Sequence, residues 1–324
     1  MPPPHTGFEL CKKINEFLHE WGLENKIFPI TLDNASSNDV LVKTLKEKLV
    51  LQNSLLCDGE FFHVCCCAHI LNLIVQEGLK AIGDGVDLIR ESIKYVRGSE
   101  SKMIKFKQCI NQVGDIDAKS TLCLDVPTRW NSTFLMLQSA LQYQRVFGSL
   151  HLVDENYKCC PSPDKWKRPE KICTFLMPFY DITTFTFASS YPTSNLYFLQ
   201  VWNIQTLLME KGKDEDDLIR HIAERMMIKF DKYWDEYSEV LAFGAILDPR
   251  VKLETLGYCL EQIDPLSWEA KLDTIKEKLY RLFSQYCTNT SSSTEARRSN
   301  ISTSSASSKC PHLDVSFLSI VQPL

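Results

Sequence analysis

Three small groups of residues in this 324-residue chain combine side chains that could do chemistry. The first is Asp33, which ends the β-prone run Ile27-Phe28-Pro29-Ile30-Thr31-Leu32 and precedes the turn formers Asn34, Ser36, Ser37 and Asn38. Open α/β sheets place ligand-binding groups at the carboxyl ends of their strands. A carboxylate fixed there between strand and helix can ligate Mg²⁺, provided other acidic residues converge on the same point. The second group is Cys66 with His69, three residues apart on one helix turn and therefore on one face. They read either as small polar groups beside the acidic site or as a buried thiol and a capping histidine, and spacing alone favours the second. The third is Arg129-Trp130, just ahead of a helix whose N-cap is read as Asn131 or Ser132. An arginine there can clamp phosphate and an indole can stack on an extruded base. Alternatively the tryptophan plugs the helix junction while Arg129 pairs with Asp125, and the residues by themselves favour that arrangement.

The elements that must position these groups follow from periodicity. Thr6 to Trp21 reads as a helix capped by Thr6, with Glu9 completing a capping box and Gly22 closing it. Phe8, Cys11, Ile14, Phe17, Leu18 and Trp21 form its expected apolar stripe. After the Ile27–Leu32 strand, Val40, Leu41, Leu45, Leu49 and Val50 recur at helical spacing. Phe61, Phe62, His63 and Val64 read as a second strand, and Cys66-Cys67-Ala68-His69 opens a helix that is apolar on nearly every side as far as Leu79. From Asp84 onward the pattern is helical. Val86, Ile89, Ile93 and Val96 mark one helix, and Met103, Ile104, Phe106, Cys109 and Ile110 another. An irregular connection from Asp115 to Pro127 precedes the Arg129 helix, which carries Phe134, Leu137, Leu141 and Phe147. Lys158 to Arg168 reads as a basic, Pro-rich loop, with a helix from Ile172 that Pro178 kinks or ends. Thr183 to Ala188 is too short to assign. Helices follow from about Tyr191, from Asp214 and up to Tyr286, and Asp248, before Pro249, is read as a structural helix stop.

Three ordered segments resemble a known family. Leu32-Asp33-Asn34-Ala35-Ser36-Ser37-Asn38-Asp39 is followed by Cys66-Cys67-Ala68-His69-Ile70-Leu71-Asn72-Leu73-Ile74-Val75-Gln76-Glu77-Gly78-Leu79, and then by Pro127-Thr128-Arg129-Trp130-Asn131-Ser132-Thr133. The succession is similar to the hAT superfamily of DNA transposases, and more narrowly to the plant BED zinc-finger proteins of the RICESLEEPER and DAYSLEEPER kind, over roughly residues 5 to 287. Leu247 to Arg250 extends the likeness. The resemblance implies a partial α/β ribonuclease H-like core interrupted by a large all-α insertion, predominantly helical overall. The expected division is a partial core over 1–80, a helical insertion over 81–287 with 155–260 its most family-like part, and a disordered Ser-rich tail over 288–324. A short apolar run, Val315-Ser316-Phe317-Leu318-Ser319-Ile320-Val321, lies within the tail.

For function, the resemblance implies three acidic residues holding Mg²⁺ or Mn²⁺, of which Asp33 maps onto the second. The first is expected on a strand before His5 and the third after the insertion, so the chain is expected to lack transposase activity, Asp33 being vestigial in an incomplete metal site. The BED zinc finger and the dimerisation segment are likewise expected outside it. The resemblance turns the preference at Trp130 toward base stacking. Nucleic-acid contacts are expected from Cys66, His69, Arg129, Trp130, Lys102 and Lys105. The expected partners are DNA and, alternatively, other hAT-derived proteins without DNA binding, and the expected compartment is the nucleus.

Composition bounds these expectations. The chain is 44% hydrophobic and 24% charged, which suits a substantial core. A net charge of −5 is not that of a dedicated DNA-binding domain, and basic residues gather only locally, at Lys102, Lys105 and Lys107 and at Lys165, Lys167 and Arg168. Such clusters are solvated faces unless the fold joins them. No apolar run reaches membrane-helix length and Met1-Pro2-Pro3-Pro4-His5 has no signal pattern, so neither a membrane nor secretion is expected. The 13 cysteines show no disulfide framework, and Cys65 to Cys67 are adjacent, which predicts reduced thiols. Zinc held by His63, Cys66, Cys67 or His69 is not expected, because no second ligand pair stands at finger spacing, and no cofactor is expected.

Overall fold

Thr6 caps the first helix, α1 (Gly7–Glu20), by accepting the Glu9 N–H at 3.3 Å. At the other end Gly22 takes φ +62°, with Gly22 N–H donating to His19 O and Leu23 N–H to Leu18 O, the paired bonds of a Schellman stop. The computed structural model describes residues 6–81, 84–114, 121–188 and 193–298. It divides into two units, one made of residues up to Cys65 together with those from Ser238 onward, the other of Cys66–Tyr237.

In the first unit α1 lies on α2 (Ser36–Leu51), with Cys11, Leu41, Leu45, Leu49 and Phe62 buried between them and Leu10, Ile14 and Leu18 half-buried around them. Gly7 lets the two helices approach, since a Cβ there would stand 2.4 Å from the Ser37 carbonyl oxygen. The expected stripe on α1 is corrected by this packing: Phe8, Phe17 and Trp21 are exposed, and the buried face is centred on Cys11 and Ile14. Strands β1 (Ile30–Leu32) and β2 (His63–Cys65) pair in parallel, with Ile30 opposite His63 and Leu32 opposite Cys65. Phe61 and Phe62 sit just before β2 rather than in it.

A 3₁₀ turn, Leu56–Gly59, leads into β2, with Cys57 and Asp58 in the left-handed region at φ +51°. Its conformation is held from far along the chain, where α12 (Trp268–Arg298) supplies Gln285, whose Oε1 accepts the Cys57 N–H at 2.5 Å. Glu60 takes Lys278 at 3.3 Å and also pairs with Arg281, while Lys278 reaches Glu239 as well. Before α12 comes α11 (Lys252–Ile263). In the turn between α10 (Asp217–Leu247) and α11, the buried Asp248 accepts the Arg250 N–H at 2.9 Å and its guanidinium at 2.8 and 3.0 Å.

The second unit is wholly helical among the described residues. It comprises α3 (Cys67–Leu79), α4 (Asp84–Arg97), α5 (Glu100–Val113), α6 (Trp130–Gln142), α7 (Gln144–Val153), α8 (Pro163–Ala188), α9 (Ser194–Lys211) and the first part of α10. Ile89, Ile93, Phe134, Leu137, Phe147, Ile172, Phe179 and Met226 are among the residues that fill its core.

A predominantly helical chain with a short strand–helix–strand stretch is what the sequence predicts, and four details differ. The break expected near residue 80 falls after Cys65, and residues 238–298, read as insertion and the start of the tail, belong with the N-terminal stretch. The loop expected over 158–168 is shorter, because Pro163 opens α8, and that helix runs through Pro169 and Pro178 with Ile172, Cys173, Phe175, Leu176 and Phe179 buried along it. Thr183 to Ala188 is its last part. The expected disorder from Thr288 gives way to helix as far as Arg298, since Ser and Thr extend an already nucleated helix at small cost per residue. Residues 299–324, and the expectations for Asp115–Ser120 and Tyr191-Pro192, lie outside the described residues.

Candidate nucleic-acid interface

The segment ahead of α6 is tied down by six side chains. Asp125, with no exposed side-chain surface, receives both Arg90 nitrogens, Nε on Oδ1 and a terminal nitrogen on Oδ2, each at 2.8 Å. Thr133 from α6 donates to the same carboxylate at 3.1 Å. Burial alone pushes the Asp125 carboxyl up, but the guanidinium and the hydroxyl outweigh it and hold the group below the usual carboxylate range. Ser132 accepts the Val126 N–H at 2.8 Å and turns its own proton toward the Val126 and Arg129 carbonyls.

From the other side α3 reaches across with two amides one turn apart. Gln76 Nε2 donates to Pro127 O at 3.0 Å, Asn72 Nδ2 to Thr128 O at 3.3 Å, and Asn72 Oδ1 accepts the Trp130 N–H at 3.2 Å. The backbone from Val126 to Trp130 is thereby fixed, while Val126, Pro127, Thr128 and Arg129 stand exposed. Arg129 is itself the N-cap residue of α6, earlier than the cap expected from sequence.

This geometry corrects two expectations. Trp130 is only 2% exposed and belongs to the core of the unit, so neither ring face is open to a base. Arg129 does not pair with Asp125, because Arg90 already occupies that carboxylate in a two-point grip that leaves no exposed oxygen. The sequence carried a signal for the clamp: Asn72 and Gln76 are the two side-chain amides of α3 and stand at i and i+4, on one face of the helix. Arg90 gave no such signal.

The two lysines named from sequence are engaged elsewhere in the unit. Lys102 lies over the Tyr95 ring, 3.9 Å from its centre, and Lys105 pairs with the buried Asp154 at 3.2 Å. Tyr95 donates to Asp154 at 3.2 Å. Burial raises the Asp154 carboxyl, yet Lys105, the Asn156 N–H and Tyr95 together keep it below its ordinary value. Exposed cations stand on several elements of the unit: Arg97 on α4, Lys107 on α5, Lys158 in the loop before α8, and Lys165 and Arg168 on α8.

Cys66 is the N-cap residue of α3 and His69 lies in its first turn, both half-buried. Their immediate surroundings include α9, where burial first, and the nearby Cys67 and Cys66 thiols second, push the Tyr197 phenol up to about 12. In the first unit, Asp33 follows β1 as expected from the sequence and is exposed. Its Oδ1 accepts the Ala35 N–H at 3.2 Å and Asn38 Nδ2 at 2.7 Å, an arrangement that fastens the strand to the start of α2. Among the described residues no group of three or more His, Cys, Asp or Glu is placed to hold a metal ion. One carboxylate with an oxygen already committed to two donors does not by itself fit an octahedral divalent cation.

Three family descriptions match successive parts of the chain: the ZBED1 RNase-like domain over residues 1–61, the ZBED1 RNase-like helical domain over 64–175, and hAT-like transposase, RNase-H fold, over 195–286. The zinc finger BED domain-containing protein RICESLEEPER 2 of Oryza sativa subsp. japonica is 36% identical over 284 residues, covering 87% of this chain and 39% of that protein. A putative AC transposase of Zea mays is 33% identical over 86% of the chain and 35% of its own length. The Arabidopsis thaliana protein DAYSLEEPER is 30% identical over 87% and 40%. The chain thus spans about two fifths of the length of these relatives.

Proposed function

Because the chain belongs to the hAT-like transposase family, we propose that its helical unit handles DNA through the rigid turn that presents Arg129, and that the chain does not cut DNA on its own. The turn carries the proposal: its backbone is fixed from α3, α4 and α6, so Arg129 is held out without the entropy cost of ordering a loop on binding. Lys107 and the other exposed cations supply nonspecific attraction to phosphate, whereas Lys102 and Lys105 serve the fold. A nuclear location accords with that role, and among the described residues no helix is long and apolar enough to cross a membrane.

The absence of cleavage is proposed from Asp33, whose carboxylate serves the strand–helix turn and meets no second acidic ligand among the described residues. Metal-dependent strand cleavage by the purified chain, abolished in Asp33→Asn, would overturn that part.

Binding of the purified chain to hairpin-ended and single-stranded DNA across a salt series tests the main reading. Arg129→Ala should weaken binding and flatten the slope of log affinity against log salt by about 0.7–0.9, the loss of one phosphate contact. Affinity and slope unchanged in Arg129→Ala would remove the turn from the interface. The second reading, association with other hAT-derived proteins without DNA, draws on the stacked pair Phe17 and Trp21, exposed on α1 with ring centres 6.1 Å apart. It predicts no DNA affinity at low salt and co-purification with a full-length relative that is lost in Trp21→Ala.

A further inference from the structure

In the first unit, the end of α10, α11, the 3₁₀ turn and α12 enclose an open groove of about 730 Å³. Its lining is almost wholly apolar: Phe28, Leu56, Leu247, Leu279, Phe283 and Tyr286 are the main contributors, and Lys276 is the charged one. Leu247, Phe283 and Tyr286 are 60%, 47% and 64% exposed, which is unusual for large apolar side chains gathered at one place. A surface of this kind is normally covered.

We propose that the groove is a docking site for the chain's own segment Val315–Val321. That segment supplies Val315, Phe317, Leu318, Ile320 and Val321, the apolar cluster within residues 299–324. It is preceded directly by Asp314, the acidic residue of that stretch, and the groove has Lys276 in its lining. Lys276 pairs with Asp273 at 3.0 Å across one exposed helix turn, an attachment that solvent screens and that is easily exchanged.

Reach is sufficient. Helix α12 carries the groove residues Lys276 to Tyr286 and runs on to Arg298. At 1.5 Å per residue the return distance is roughly 18–33 Å. The 16 residues between Arg298 and Val315 are enough to close that distance, since a Gly/Ser-type linker of that length spans about 20–24 Å root-mean-square and any chain of that length can reach roughly 50 Å. Tethering at that length gives an effective concentration on the order of millimolar, so a segment with an intrinsic Kd of about 0.1 mM occupies the groove about nine tenths of the time.

Hydrogen–deuterium exchange of the full 324-residue chain tests this. Amides of 315–321 should exchange at least about tenfold more slowly than in a free peptide of the same sequence, equally at low and high protein concentration. The protection should vanish both in the tail variant Phe317→Asp/Leu318→Asp and in the groove variant Phe283→Asp. Exchange of 315–321 at the free-peptide rate in the wild-type chain overturns the proposal. So does protection that survives Phe283→Asp in a folded chain, or protection that grows with protein concentration, which would assign the groove to a second copy. The tail variant leaves every groove residue in place, so the proposal stays testable should Phe283→Asp fail to fold.

Discussion

Asp125 shows how one buried carboxylate can organise an exposed turn. It is fully covered, while Arg90 keeps 20% of its side chain in contact with solvent, so the pair is half inside the low-dielectric core. Removing one member leaves the other uncompensated, and Arg90→Ala should cost about 3 kcal/mol, read from urea unfolding. The folded pKa of Asp125 lies below its unfolded value of about 3.9, so its contribution is complete above that pH and is lost as pH falls through the folded value. The wild-type melting temperature should therefore fall more steeply below about pH 4 than that of Asp125→Asn. Trp130 makes the complementary case. Trp130→Ala should cost about 3–5 kcal/mol as a core truncation, whereas Trp130→Phe should fold and keep the DNA affinity of the parent chain. A folded Trp130→Phe chain with lost affinity would return the indole to a base-stacking role. Sequence placed Asp33 at the end of its strand, and read the α6 cap two to three residues later than Arg129, where the structure has it. The residues by themselves favoured Trp130 as a plug in the helix junction, which is where its 2% exposure puts it, and only the family resemblance turned the expectation toward base stacking.

At the scale of elements, the ends of α1 and the apolar row of α2 were legible because caps and periodicity are local. Thr6, Gly22 and the Leu41–Leu45–Leu49 row all do what local chemistry predicts. The face of α1 was not legible in the same way. Phe8, Phe17 and Trp21 look like stripe members in sequence, but the close approach at Gly7 orients the helix so that Cys11 and Ile14 turn inward. Gly7→Ala should accordingly destabilise the chain by about 1–3 kcal/mol, since the obstructing atom is a backbone oxygen that cannot swing aside. Thermal unfolding would show it, and an unchanged melting temperature would mean that α1 can slide on α2. The prolines of α8 illustrate the opposite limit, where burial of five side chains outweighs two lost backbone hydrogen bonds.

At the scale of the whole molecule, the first unit depends on residues far apart in sequence. The left-handed Cys57 and Asp58 are held by Gln285, and Glu60 by Lys278 and Arg281. Residues 66–237 expressed alone should unfold in one cooperative step, whereas residues 1–65 alone should show little tertiary structure by near-ultraviolet circular dichroism. Cooperative unfolding of 1–65 would show that α12 is dispensable to it. No sequence pattern announces such a dependence, because the partners carry ordinary surface residue types and only their spatial meeting gives them a role.

That dependence has a consequence for synthesis. A ribosome that has released the strands and first helices must add about 170 further residues before the sequence that completes their unit emerges. At roughly 5–20 residues per second that is a delay on the order of ten to thirty seconds. Throughout it, the apolar faces of α1 and α2 and the edges of a two-stranded sheet wait without the helix that pins them, while the intervening helical unit can already fold. Nascent chains stalled within that interval should be the form of this protein that chaperones hold longest.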